Sequence, residues 1–140
     1  EIDILMVAGR YTLLDQSASN SLFSKAIEKS VEVELASPFN SGVLASGAKD
    51  KKARFDYLPV TEEVFEKVKR IEKICNSYNV SIKCAALNYS LSHPAVKRLI
   101  LGLVDPDGLH SNISDLDVKI PNNLWQDLSE LGIQNPLGGN

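Results

Sequence analysis

The stretch Ile2-Asp3-Ile4-Leu5-Met6-Val7-Ala8-Gly9-Arg10-Tyr11-Thr12 decides the fold class. Residues 2–7 are short, mostly apolar and turn-bounded, as a strand buried on both faces is. The strand then stops abruptly at a small, polar loop. The same pattern recurs twice. Val31-Glu32-Val33-Glu34-Leu35 runs into Ala36-Ser37-Pro38-Phe39-Asn40-Ser41-Gly42, and residues 96–101 run into Gly102 and then Val104-Asp105-Pro106-Asp107. In α/β folds the loops after strand C-terminal ends are where ligands sit, because the sheet and helices hold those loops rigid.

Between these strands the apolar period becomes helical. Ser17 or Ser19 caps a helix carrying Leu22, Phe23, Ala26 and Ile27, which ends near Ser30. Residues 38–60, with the breakers Pro38, Gly42, Gly47 and Pro59, read as one long irregular loop. A loop of that length in a compact domain is more often functional than idle. From Thr61, the residues Val64, Phe65, Val68, Ile71, Ile74 and Cys75 recur at three- and four-residue steps, and Asn79 closes the helix. Ser81 caps another through Ala85, Ala86, Leu87 and Leu91, stopped before Pro94. Asp105 before Pro106 pairs a capping residue with a first-turn proline and opens a helix through Leu109, Asn112 and Ile113. Pro121 opens a last helix with Leu124, Trp125, Leu128 and Leu131, and residues 134–140 are a fraying tail. The order βαβ, loop, αα, β, αα predicts a parallel sheet of three strands with exposed edges. Such a sheet is small for a domain, and a chain that opens within a strand pattern reads as part of something larger.

Composition narrows the class. With 140 residues and 44% apolar content, one packed core is expected and disorder is excluded. A net charge of −3 argues against nucleic acid as the main partner. The basic run Lys49, Lys51, Lys52 and Arg54 reads as a solvated loop, or as a loop that attracts a cofactor phosphate. Cys75 and Cys84 match no metal spacing, which fits a reduced, cytoplasmic setting. No apolar run approaches a membrane span.

Few residues could carry acid–base chemistry. His93, before Pro94, reads as shaping a helix–strand turn, and His110 as a surface or ligand-rim residue. No Ser-His-Asp arrangement, zinc spacing or Walker-type loop is present. Asp15, Glu34 and Asp105 read as caps or loop residues. Arg10 and Tyr11 at a strand end suit a hydroxyl-rich or anionic ligand, or else an ion pair and a packed aromatic. Ser37, Asn40, Ser41 and Gly42 put hydroxyls, an amide and backbone donors in one loop, a composition able to cradle a pyrophosphate.

Taken in order, three motifs carry a resemblance. Residues 4–16, Ile-Leu-Met-Val-Ala-Gly-Arg-Tyr-Thr-Leu-Leu-Asp-Gln, resemble the sixth barrel strand of aldo-keto reductases, nearest the sugar-oxidising D-threo-aldose 1-dehydrogenase branch (L-fucose or galactose dehydrogenases). Residues 36–44 are similar to the seventh-strand loop, and residues 100–112 to the eighth strand with its cofactor-binding helix. The resemblance covers nearly the whole chain. It implies residues 1–133 as the C-terminal part of a (β/α)8 TIM barrel, strands six to eight with their helices, and 134–140 as a tail.

The resemblance also implies a site. NAD or NADP would lie across the barrel mouth, with Ser37, Phe39, Ser41 and Gly42 along the pyrophosphate. Gly102 and Asn112 would hold the adenosine end, Tyr11 would lie near the nicotinamide, and Arg10 would face a sugar. The family's catalytic Asp, Tyr, Lys and His come from earlier strands, so no catalytic residue is expected in this chain and it alone should be inactive. The eighth-strand motif departs from pattern. Val104 and Asp105 stand where the family commonly has Arg and Ser or Thr, Gly108 replaces a Gln, and Ser111 replaces a Glu. Asp105 could accept from ribose hydroxyls and favour NAD over NADP; relaxed constraint with weakened cofactor binding is the alternative. Two function classes follow: the C-terminal segment of an NAD(P)-dependent aldose dehydrogenase completed by an N-terminal half, or a non-catalytic half-barrel that self-associates or pairs with another chain. An unrelated small nucleotide-binding α/β domain is a third class, but it leaves the ordered motifs unexplained.

Overall fold

A computed structural model describes residues 2–49, 53–103 and 106–138. The strands are β1 (Ile4–Ala8), β2 (Glu32–Ala36) and β5 (Val96–Ile100), and they form one parallel sheet in the order β1-β2-β5. Register pairs Val7 with Leu35 and Leu35 with Leu99, with an irregularity between Val33 and Glu34 on the β5 side. The strands start and stop within two residues of the sequence expectation.

Alternation along the strands sends Val7, Val33 and Leu35 to one face, where all three are buried. That face packs on helices. α1 (Leu22–Glu28) contributes Phe23 and Ala26, and α3 (Glu62–Ser77) contributes Val68, Ile71 and Cys75. α4 (Ile82–Leu91) is buried almost all round, and α6 (Asn122–Ser129) adds Leu124, Trp125 and Leu128. The caps read from sequence are in place: Thr61 Oγ1 accepts from the Val64 amide, and Ser81 Oγ accepts from the Cys84 amide at 3.0 Å. Asn79, with φ 56°, takes the left-handed turn that ends α3. The first helix starts later than expected, because residues 17–19 form a separate 3-10 turn.

The opposite face of the sheet carries Ile4, Met6 and Ile100, which are 50%, 59% and 37% exposed. Between them Arg98 bridges Glu32 and Glu34 at 3.0 and 3.2 Å. No element described here covers that face.

Residues 38–60 are not one irregular loop. They contain α2 (Val43–Ser46), a 3-10 turn and a hairpin of β3 (Arg54–Phe55) and β4 (Leu58–Pro59). Elements of two to four residues are too short for any periodicity to announce them. The expected tail begins anchored: Ile133 is buried, and the Gln134 carbonyl accepts from Tyr89 Oη at 3.0 Å. Cys75 and Cys84 are free and buried, and burial pushes the Cys75 thiol up to about 12, which keeps it protonated and unreactive.

His93 shapes the turn into β5. Its Nδ1 accepts from the Ala95 amide at 3.2 Å, and its ring packs on Phe23 and Tyr11. Burial holds the imidazole below the usual histidine range. The unfolded chain therefore takes up this proton first as pH falls, so its contribution is complete above about pH 6.5 and is lost below it. Protonation would also convert the accepting Nδ1 into a donor facing a donor. Thermal midpoints should fall between pH 7.5 and 5.5, and less steeply in His93→Asn, whose amide oxygen accepts without titrating. Equal slopes would rule this group out as the cause.

Candidate active-site cleft

The C-terminal ends of β2 and β5 open into a cleft of about 690 Å³. Its walls include Ser37, Phe39, Ser41, Gly42, Gly102 and Asn112, six of the residues expected to contact a cofactor. The loop after β2, the loop after β5 and α5 (Pro106–Leu116) converge there, with Ala45 of α2 and Lys83 of α4 completing the wall. Asp105, expected to bind ribose, and Val104 lie outside the described residues, as do Lys51 and Lys52 of the basic run.

The loop after β2 has an unusual backbone. Ser37, Asn40 and Ser41 have φ of 56°, 45° and 60°, and Gly42 has φ 104°. Left-handed non-glycine residues cost energy, and a cluster of them persists only where the surroundings hold the loop in one shape. Asn40 does part of that holding: it is buried, and its Nδ2 donates to the Gly9 carbonyl at 3.3 Å. Among the described residues, a side chain on Gly42 or Gly102 would meet no neighbouring atom within 4 Å.

Asn112 supplies the most informative polar atom. It is 5% exposed, and its Oδ1 has no hydrogen-bond partner among the described residues. A buried acceptor left unpaired costs about 1–3 kcal/mol, so a donor supplied by a ligand in the cleft would satisfy it. Burial also removes the Asn112-Ile113-Ser114 sequon from use in the folded chain.

Tyr11 requires a correction. Rather than facing the cleft, it is 1% exposed in the core, stacked on Tyr89 at 5.0 Å and edge-on to Phe23 at 5.3 Å. Its hydroxyl is bonded to Ser92 Oγ at 3.2 Å. Tyr11 lies on the side of the sheet that Val7 also faces, the helix side, where Phe23, Tyr89 and His93 enclose its ring. A ring with no free face cannot stack on a nicotinamide.

Arg10 is exposed and bridges two loops. Its Nη1 donates to Asp15 at 2.9 Å and to Asp56 at 3.1 Å. Burial raises the Asp15 carboxyl, but bonds from Ser17 and the charge of Arg10 outweigh it and hold the group low. Asp56 and Tyr57 form the tip of the β3–β4 hairpin, both at positive φ. The Tyr57 amide donates to Ser41 Oγ at 3.0 Å. The hairpin thus ties the cleft rim at Ser41 to Arg10 at the end of β1. Sequence reasoning missed this link, since Asp56-Tyr57 has none of the Asn-Gly or Asp-Gly signature of tight hairpins.

Among the described residues no group of three His, Cys, Asp or Glu could hold a metal, and no helix is long and apolar enough to cross a membrane. His110 is exposed on α5.

A rigid parallel sheet with its cleft at the strand C-termini defines an α/β ligand-binding architecture. Within that class the chain belongs to the Aldo/keto reductase family, which it matches over residues 1–133 and whose fold is a TIM barrel. It is 33% identical over 130 residues to D-threo-aldose 1-dehydrogenase of Pseudomonas sp, covering 93% of this chain and 40% of that protein. It is 30% identical over 133 residues to pyridoxal 4-dehydrogenase of Microbacterium luteolum, 95% of this chain and 39% of that protein. A more distant relative is the NADH-specific methylglyoxal reductase of Escherichia coli, at 22% identity over 129 residues, 86% of this chain and 39% of that protein. The chain therefore spans about two fifths of the length of these relatives.

The hairpin link makes a testable point. Ser41→Ala should raise the hydrogen-exchange rate of the Tyr57 amide by about fivefold, and Asp56→Asn should raise rates across 54–59 by a smaller factor, as expected for local opening of an exposed contact. Exchange unchanged in both variants would mean that the hairpin is held by something else.

Proposed function

We propose that this chain is the C-terminal segment of an NAD(P)-dependent aldose dehydrogenase of the aldo/keto reductase type, contributing strands six to eight of the barrel. The observation that carries the reading is the cleft after β2 and β5, with the unpaired Asn112 Oδ1 in its wall. The family membership, and the printed activity of the Pseudomonas relative, supply the substrate class.

The donor set fits a dinucleotide. Ser37 and Ser41 offer hydroxyl donors, and Gly42 offers close backbone approach to a pyrophosphate. Gly102 would admit the adenosine end, and Asn112 Oδ1 would accept from an amino group there. Phe39, half-buried, lines the wall between them. A bound nicotinamide dinucleotide supplies the hydride acceptor. In this reading Arg10, exposed beside the hairpin tip and shared by Asp15 and Asp56, would meet sugar hydroxyls. The acid–base groups of the reaction come from strands outside this segment, so the segment binds and orients and does not itself move the proton. NAD is favoured over NADP on the carboxylate at position 105, and a cytoplasmic setting is part of the same reading.

One observation favours a second reading. Ile4, Met6 and Ile100 lie exposed on the uncovered sheet face, and parallel sheets are ordinarily covered on both. A half-barrel that buries this face against a second copy, or against another chain, would satisfy the same constraint without catalysis.

The full polypeptide containing residues 1–140 should reduce NAD or NADP when given free aldoses. Asn112→Leu should weaken dinucleotide binding by about tenfold, the cost of one lost buried hydrogen bond and a mismatched wall. A folded polypeptide with a complete barrel that shows no aldose-dependent reduction of either dinucleotide would defeat the dehydrogenase reading. Self-association of the 140-residue chain that Met6→Lys abolishes would favour the second.

A further inference from the structure

The cleft wall holds one charged side chain among its described lining residues, Lys83. It is the second residue of α4. The structure gives it a specific environment. Lys83 Nζ is 2.8 Å from Asp115 Oδ2 and donates to Ser111 Oγ at 2.6 Å. Both partners belong to α5, and Ser111 directly precedes Asn112. The ammonium is therefore placed beside the end of the cleft assigned to adenosine.

The pair is well sheltered for an ion pair, with side chains 23% and 21% exposed. Asp115 is itself fixed. Its backbone carbonyl accepts from Asn88 Nδ2 at 2.9 Å and from Cys84 Sγ at 3.3 Å, both from α4. These bonds anchor the Asp115 backbone beside Lys83, and the carboxylate itself is held by its pair with the ammonium. Lys83 is thus held within a nearly neutral pair instead of standing as a free cation at the cleft. A 2′-phosphorylated ribose carries a dianion that needs such a free cation, whereas a ribose with a free 2′-hydroxyl does not.

We propose that Asp115 is a specificity-determining residue: by engaging Lys83 it withholds the ammonium from the adenosine end of the cleft and sets the preference against a 2′-phosphorylated dinucleotide. Asp115 contacts no ligand in this role; it acts through Lys83. The inference rests on the cofactor reading of the cleft given above and adds the group that tunes it. The effect is electrostatic and of short range, so it should weaken with salt.

The test measures Kd for NADH and NADPH by titration calorimetry on the full polypeptide containing this segment. Asp115→Asn is nearly isosteric and keeps the backbone carbonyl that binds Asn88 and Cys84. It should tighten NADPH binding by about fivefold, leave NADH within about twofold, and lose most of that gain at about 0.5 M salt. Lys83→Met, which leaves the Asp115 carboxylate without its counter-charge, should move the ratio the other way by repelling the 2′-phosphate, weakening NADPH more than NADH. An NADPH-to-NADH ratio that is the same in Asp115→Asn as in the unsubstituted protein would overturn the proposal. So would a ratio unmoved by Lys83→Met if Asp115→Asn did not fold. Should the unsubstituted protein bind neither dinucleotide, the cofactor reading itself would fall, an outcome distinct from an unchanged ratio.

Discussion

Everything in this structure depends on the parallel pairing of β2 with both of its neighbours. β2 is the central strand, and Val33 and Leu35, both at 0% exposure, anchor it to the helix layer. Fixing that strand fixes where its C-terminal loop emerges, and the ladders to β1 and β5 fix the other two loops beside it. The pairing also sets the opposite face. Alternation puts Glu32 and Glu34 there, and the register brings Glu34 against Arg98, whose guanidinium bridges both carboxylates. Charges on that face are balanced from within the sheet, while Ile4, Met6 and Ile100 are left without cover. Parallel sheets are ordinarily covered on both faces, and that uncovered face is what the strands or second chain proposed above would complete.

The cleft is a consequence of the same ladder. Its floor is the end of a rigid sheet, and its walls are loops that spend conformational energy to hold their shape. Three left-handed non-glycine residues within 37–42 are tolerated because Asn40 is bolted to Gly9 and the hairpin tip to Ser41. The unpaired Oδ1 of Asn112 then sits in a wall that cannot easily relax to satisfy it. Stiff loops, backbone at two glycines without a close neighbour among the described residues, and the orphan acceptor of Asn112 in the lining form a site prepared for a ligand that brings its own donors. In the same wall Lys83, paired with Asp115 across the α4–α5 seam, sets the charge we propose that ligand meets.

Much of this was legible in the residues, for physical reasons that differ by element. The strands were visible because 2–7, 31–35 and 96–101 are short apolar runs between turn residues, and α3 because its apolar stripe is long and capped by Thr61. The convergence of Ser37, Phe39, Ser41, Gly42, Gly102 and Asn112 followed from their places in ordered motifs, which encode topology. What failed was local and three-dimensional. Tyr11 follows a strand by only a few residues, and its partners Phe23, Tyr89 and His93 lie far away in sequence and meet it only after the helices pack. The hairpin at 54–59 has too few residues to show a period. Lys83 drew no notice in the sequence, because its partners Ser111 and Asp115 are distant along the chain and adjacent only after α4 and α5 pack.

The central claim is that the cleft between the β2 loop and α5 holds the dinucleotide. Hydrogen–deuterium exchange on the full polypeptide, with and without NADH, addresses it directly. Slowed exchange concentrated in 37–45 and 106–113 is the predicted result. The chain also has a second concavity of about 600 Å³, lined by amides and hydroxyls such as Gln16, Asn20, Gln126 and Gln134. Protection there, with the β2 loop and α5 unchanged, would contradict the assignment.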